Sequence, residues 1–119
     1  MHIQANETMH FRNLNECIRT CGDKEIRIDN CIGQRYIGAG SSGKIIRIQG
    51  TPGNALGAYL DGTEIYLDGN AQDAIGDTMN AGAIIVNGNA GDAAGYAMRG
   101  GKIFIRGDVG YRCGIHMKA

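Results

Sequence analysis

GTPGNALGAYLDGTEIYLDGNAQDAIGDTMNAGAIIV, residues 50–86, says nearly the same thing twice, and the rest of the chain continues it. The phrase GTPGNALGAYL (50–60) returns as GNAQDAIGDTM (69–79), GNAGDAAGYAM (88–98) and GDVGYRCGIHM (107–117), stepping 19 residues each time. Gly50, Gly69, Gly88 and Gly107 form one column, and Gly57, Gly76, Gly95 and Gly114 another. Between the phrases lie short alternating runs in the same register: Ile46-Arg47-Ile48, Ile65-Tyr66-Leu67, Ile84-Ile85-Val86 and Ile103-Phe104-Ile105. A fixed period of about 20 residues marks a solenoid, in which each repeat buries its apolar face only against its neighbours.

Side chains alternate faces along a strand, so the flanking residues of each run (46/48, 65/67, 84/86, 103/105) are expected inside and the middle ones outside. Leu56, Ile75, Ala94 and Cys113 supply a second inward column, and Leu60, Met79, Met98 and Met117 a third. Three inward columns with glycine corners describe a three-sided coil, and the glycines are read as turns with φ > 0. Rungs stack at ~4.8 Å, giving a column roughly 20–25 Å tall. Helical repeats are excluded, since no copy holds the helical periodicity they need. Left-handed hexapeptide coils place an aliphatic residue at every sixth position, a rule that a 19-residue step breaks on each turn. The fold expected is therefore all-β: a single-stranded right-handed parallel β-helix with 19-residue rungs.

Composition narrows the function. Glycine makes up 20 of 119 residues but follows no G-X-Y period and accompanies one proline, which excludes collagen and flexible linker. Twelve basic residues balance twelve acidic ones, removing the electrostatic term behind nucleic-acid binding. No run approaches the ~18 apolar residues of a membrane span, and no secretory signal is read at the start. Cys17, Cys21, Cys31 and Cys113 are irregularly spaced and read as reduced thiols of a cytoplasmic protein.

Before the repeats, Leu14, Cys17, Ile18 and Cys21 fall at i, i+3, i+4 and i+7, with Phe11 one turn earlier. This predicts an amphipathic helix over 6–21, ended by Gly22. Residues 1–5 show no pattern. Ile26-Arg27-Ile28 then opens a degenerate first repeat, one residue longer than the others, the extra one read between Gly33 and Gly38. The chain divides on this basis into an N-terminal helical cap, 1–25, and a β-helix domain, 26–119.

Few residues carry recognisable chemistry. Gly38-Ala39-Gly40-Ser41-Ser42-Gly43-Lys44 comes closest to a phosphate loop, but a strand follows where a helix is needed, so it reads as a repeat corner. The cysteines lack the paired spacing of zinc or iron–sulfur sites, and no metal site is expected. Polar ladders stack as Asn70, Asn89, Asp108; Asn54, Asp73, Asp92; and Asp61, Asn80, Arg99, Lys118. Such rows usually bond backbone. Asp73 over Asp92 is the single acidic pair, and a small carbohydrate-active enzyme would have to use it. One surface feature stands out: Arg47, Tyr66, Ile85 and Phe104 stack outward as a candidate docking stripe. Either the chain's own helix covers it, through Phe11, Leu14 and Ile18, or a partner does.

The GxxGxxxG columns, at Gly50-Gly53-Gly57, Gly88-Gly91-Gly95 and Gly107-Gly110-Gly114, resemble the C-terminal glycine-repeat (GXGXG) domain of the glutamate synthase large subunit. The stretch 50–86 is similar to its central rungs and IDNCIGQRYIG to its opening turn. The glycine-repeat subunit of formylmethanofuran dehydrogenase is similar in the same columns. Gln72 departs from the pattern, standing where other copies have glycine. The resemblance implies a structural element without catalytic residues or cofactor of its own. In glutamate synthase it packs between the glutamine amidotransferase domain and the flavin-bearing synthase domain. The implied partners are thus amidotransferase-like and FMN-dependent synthase-like subunits. A homo-oligomer through the open end at Lys118-Ala119 is a further expectation.

Overall fold

Each strand pairs in parallel with the strand one rung before it. The computed structural model describes residues 2–4, 11–91, 95 and 98–107. Strand β1 (His2–Gln4) and helix α1 (Phe11–Thr20) precede β2 (Glu25–Ile32), β3 (Ile45–Thr51), β4 (Asp61–Asp68), β5 (Ala81–Val86) and β6 (Lys102–Ile105). The six strands form one parallel sheet in chain order. Ile46 pairs with Ile65, Ile65 with Ile84 and Ile84 with Ile103, so the 19-residue step of the sequence is the rise of one rung. The fold is the expected parallel β-solenoid with one short helix at its start.

The bore is filled by the columns that the repeat assigned to it. Ile26, Ile46, Ile65 and Ile84 are fully buried, as are Ile37, Leu56 and Ile75 in the second column and Leu60 and Met79 in the third. Ala94, Cys113 and Met117 lie outside the described residues. Each buried aliphatic side chain contributes about 1.5–3 kcal/mol by leaving water. Stacking makes those contributions depend on the neighbouring rungs, because a lone rung would leave its bore open on both sides.

Glycine serves two separate purposes. At one corner of each rung two tight turns follow each other: Ala58 N–H donates to Ala55 O at 3.1 Å and Leu60 N–H to Gly57 O at 3.1 Å. The third residue of each turn has positive φ, the conformation of a type II turn. Gly38 and Gly40, Gly57 and Tyr59, and Gly76 and Thr78 hold these third positions; Tyr36, Ala55 and Ala74, which open the first turn of each pair, are left-handed as well, all nine with φ between 54° and 73°. The sequence reading of corner glycines as φ > 0 residues therefore holds for Gly57, Gly76 and Gly95 and, in the other column, for Gly50 and Gly69, but alanine, tyrosine and threonine occupy the left-handed region beside Gly57 and Gly76. Space makes the difference. A Cβ on Gly57 would lie 2.6 Å from Ile84 Cδ1, and one on Gly76 2.6 Å from Ile103 Cδ1, so these two face the packed bore.

Elsewhere the reason is close approach. A Cβ at Gly50, Gly69 or Gly88 would strike the carbonyl of the residue stacked one rung earlier. Gly53 and Gly91 meet the preceding rung in the same way and do not have positive φ. Gln72 in their column also lacks positive φ, so its departure from glycine costs no left-handed turn.

The extra residue of the first repeat sits earlier than the sequence placed it. Ile28 pairs with Ile48 but Cys31 with Gly50, so two residues, Asp29 and Asn30, oppose one on β3. The expectation of an insertion between Gly33 and Gly38 is corrected: it is a β-bulge inside β2. Asn30 has φ 57°, which asparagine tolerates better than most side chains. Beyond the bulge Gly57 N–H donates to Ile37 O at 2.8 Å, back in the regular step.

The N-terminal segment also differs from expectation. Residues 2–4, where the sequence showed no pattern, pair with Arg27–Asp29, and Ile3 joins the core. Among the described residues the helix runs over Phe11–Thr20, with Leu14 and Ile18 buried in that same core at the first rung.

A candidate docking face on the coil

The outward ladder follows from the register. Arg47 pairs with Tyr66, Tyr66 with Ile85 and Ile85 with Phe104, so the four residues form one row across β3 to β6. Phe104 is 55% exposed, while Tyr66 and Ile85 are partly covered by their neighbours. The Arg47 guanidinium lies over the Tyr66 ring, 4.9 Å from its centroid, and its Nε donates to Glu25 Oε1 at 3.1 Å. Tyr66 donates its hydroxyl proton to Glu64 Oε1 at 2.9 Å, and this bond pushes the phenol pKa above its ordinary value.

A shallow depression of about 370 Å³ opens on this face, with Arg47, Tyr66 and Ile85 in its floor and Arg27, Asp68 and Arg106 around it. Among the described residues none of α1 lines it. The possibility that the chain's own helix covers the stripe is thereby narrowed: Leu14 and Ile18 are spent on the core, and the Phe11 side chain lies outside the described residues.

The glycine-rich stretch 38–44 lines a second depression of about 310 Å³ beside Asn15 and Arg19. Most of its donors are already used. The amides of Ala39, Gly40 and Ser41 donate to Tyr36 O, Ala58 O and Gly38 O. Lys44 Nζ donates to Cys21 O at 2.8 Å and Asp23 O at 3.3 Å, tying down the chain just after the helix. A phosphate would have to displace these bonds, which agrees with the reading as a repeat corner.

The asparagine rows also serve the backbone, though one rung away and not within their own turn. Asn54 Oδ1 accepts from Asp73 N at 3.1 Å, and Asn70 Oδ1 from Asn89 N at 2.9 Å. Asp92, the proposed partner of Asp73, is outside the described residues. Cys17 is exposed, Cys21 half-buried and Cys31 buried, all as free thiols. Burial pushes the Cys31 thiol up to about 11, only partly offset by its contact with Gln34. Among the described residues no group of three metal-ligating side chains occurs, and no helix is long and apolar enough to cross a membrane.

Parallel rungs in one sheet and glycine columns where one rung touches the next define a β-solenoid of the glycine-repeat class. The chain belongs to the GXGXG motif family, which it matches over residues 2–119. The resemblance to the C-terminal glycine-repeat domain of glutamate synthase rests on that same family. No curated protein and no solved structure matches the chain.

Proposed function

We propose that this chain is a non-catalytic structural subunit or domain of a glutamate synthase-like complex, docking an amidotransferase-like and an FMN-dependent partner on its outer faces. The observation that carries the reading is the family match along residues 2–119. A second observation supports it: residues stacked a rung apart are tied by backbone bonds at each described corner, such as Gly76 N–H to Leu56 O at 2.8 Å. A frame bonded in this way holds two attached bodies at a fixed distance. The free thiols Cys17, Cys21 and Cys31 suit a reducing cytoplasm. An assembly of the formylmethanofuran dehydrogenase kind is the alternative parent.

The test is copurification from native cells under mild conditions, with the bound proteins identified by mass spectrometry. An amidotransferase and a flavoprotein in stoichiometric amounts support the reading; formylmethanofuran dehydrogenase subunits in their place support the alternative. Ammonia release from glutamine by the purified chain alone, or stoichiometric flavin on it, contradicts both.

A further inference from the structure

The outer sheet face carries an order of charges that its single-row reading does not use. Strand β4 presents Glu64, Tyr66 and Asp68 outward, since Ile65 and Leu67 between them are buried. Two strands on, β6 presents Lys102 and Phe104, and Arg106 follows on the same side, all three exposed. One strand thus reads acid–aromatic–acid and the other base–aromatic–base. Between them only uncharged side chains point outward: Ala83 and Ile85 of β5, and Asn87 just after it. Among the described residues none of the four charged side chains has an ion-pair partner. Arg27 and Arg47, by contrast, are paired with Asp29 and Glu25.

The registers align these triplets: Glu64 pairs with Ala83 and Ala83 with Lys102, while Tyr66 pairs with Ile85 and Ile85 with Phe104. Such a face is complementary to itself under one rotation. A two-fold axis parallel to the strands and running over Ile85 lays β4 of one copy on β6 of the other, and β5 on β5. Glu64 then meets Lys102, Asp68 meets Arg106, Tyr66 meets Phe104, and Ile85 meets its own copy. Each of these contacts occurs twice except that of Ile85 with its copy, which lies on the axis, as an isologous interface requires. The other two-fold axis in the plane of the face, across the strands, sets Lys102 against Arg106 and Glu64 against Asp68, which like charges oppose.

We infer that this face is the contact of a homodimer, its occupant a second copy of the chain packed sheet on sheet. The sheets then lie ~10 Å apart with aligned strands, the usual geometry of a sandwich. Three strands of about five residues cover only about 14 by 17 Å, so the dimer is a weak, transient one. Its ion pairs sit at the rim, so salt weakens it. The inference stands on the charge order alone and is independent of the glutamate synthase reading, which survives its failure.

Sedimentation equilibrium on the intact chain, followed by a charge swap, tests it. The mass should rise from 12.7 kDa to twice that value on concentration. The variants Lys102→Glu/Arg106→Glu and Glu64→Lys/Asp68→Lys should each remain monomeric throughout, because every pair becomes like-charged. Mixed in equal amounts they should dimerise again, since one set of pairs then keeps its native sign and the other is restored with reversed sign. Circular dichroism confirms that each variant is folded; because the mixture uses both folded variants, restored dimer cannot arise from misfolding. A monomeric wild-type chain at all concentrations up to about 1 mM, a dimer indifferent to either swap, or a mixture that stays monomeric overturns the inference. In the first of these outcomes the face is left to a different protein, and in the second the copies meet elsewhere on the coil.

Discussion

The Gly38 amide donates to Asn15 Oδ1 at 3.0 Å, where the Gly57 amide one rung later donates to Ile37 O and the Gly76 amide to Leu56 O. Helix α1 therefore supplies, through one side chain, the carbonyl that an earlier rung would have supplied. Asn15 Nδ2 also donates to Arg35 O, at 3.4 Å. Gln34 does related work nearby, its buried Oε1 accepting from Ile32 N at 2.8 Å. A stacked fold must end somewhere, and here amide side chains satisfy the backbone where stacking stops.

Replacing Asn15 with alanine leaves the buried Gly38 amide without an acceptor. The expected loss is about 1–2 kcal/mol, the cost of an unsatisfied donor. Asn15→Asp keeps the acceptor and should lose less. Chemical denaturation of the three proteins at neutral pH checks the order.

Gly57→Ala should cost more, roughly 2–4 kcal/mol, because strain at positive φ adds to overpacking of the bore. The added methyl meets Ile84 Cδ1 at 2.6 Å. Shortening that neighbour in the double variant Gly57→Ala/Ile84→Val should recover part of the loss, leaving the φ term. Gly22→Ala is the control: nothing lies within 4 Å of its Cβ and its φ is not positive, so its melting temperature should barely move.

The left-handed alanines point the other way. Ala74 has φ 59° and is only half-buried. Ala74→Gly relieves a left-handed strain of about 1 kcal/mol and loses some of it again to the freer unfolded chain. A small rise in melting temperature is expected, and a clear fall would show that the methyl packs against the next rung.

Cys31 predicts a pH dependence. Its thiol titrates at about 11 in the folded chain against a reference of 9.0, so the folded state holds the proton more tightly than the unfolded one. The stabilisation is fully present below pH ~9 and is lost as pH rises through ~11, amounting to roughly 2–3 kcal/mol. Cys31→Ala should flatten the alkaline limb of the stability profile. At pH 8 a thiol reagent should modify Cys17 long before Cys31, which is buried and protonated.

Much of this architecture was legible in the sequence because the repeat is strict. Ile46, Ile65 and Ile84 recur at one step and lie in one column of the bore, and Leu56 with Ile75 does the same. What stayed hidden depended on contacts between rungs. No local pattern distinguishes a glycine needed for its φ, such as Gly57, from one needed for close approach, such as Gly88. Glycine spacing alone points to an extra residue between Gly33 and Gly38, and only the strand register puts it at Asp29 and Asn30. Strand β1 is three residues long, too short to show alternation. The stripe was read as the middle column alone, since the charges beside it gain meaning only when β4 and β6 are set in register.

Amide-to-amide nuclear Overhauser effects in the isotope-labelled protein test the central claim, a coil rising one rung per repeat. Cross-peaks are expected between Gly57 and Gly76, Ile46 and Ile65, and Ile65 and Ile84, at separations of about 5 Å. Strand contacts that connect residues at any other constant spacing, or the absence of these peaks in a folded sample, would contradict it.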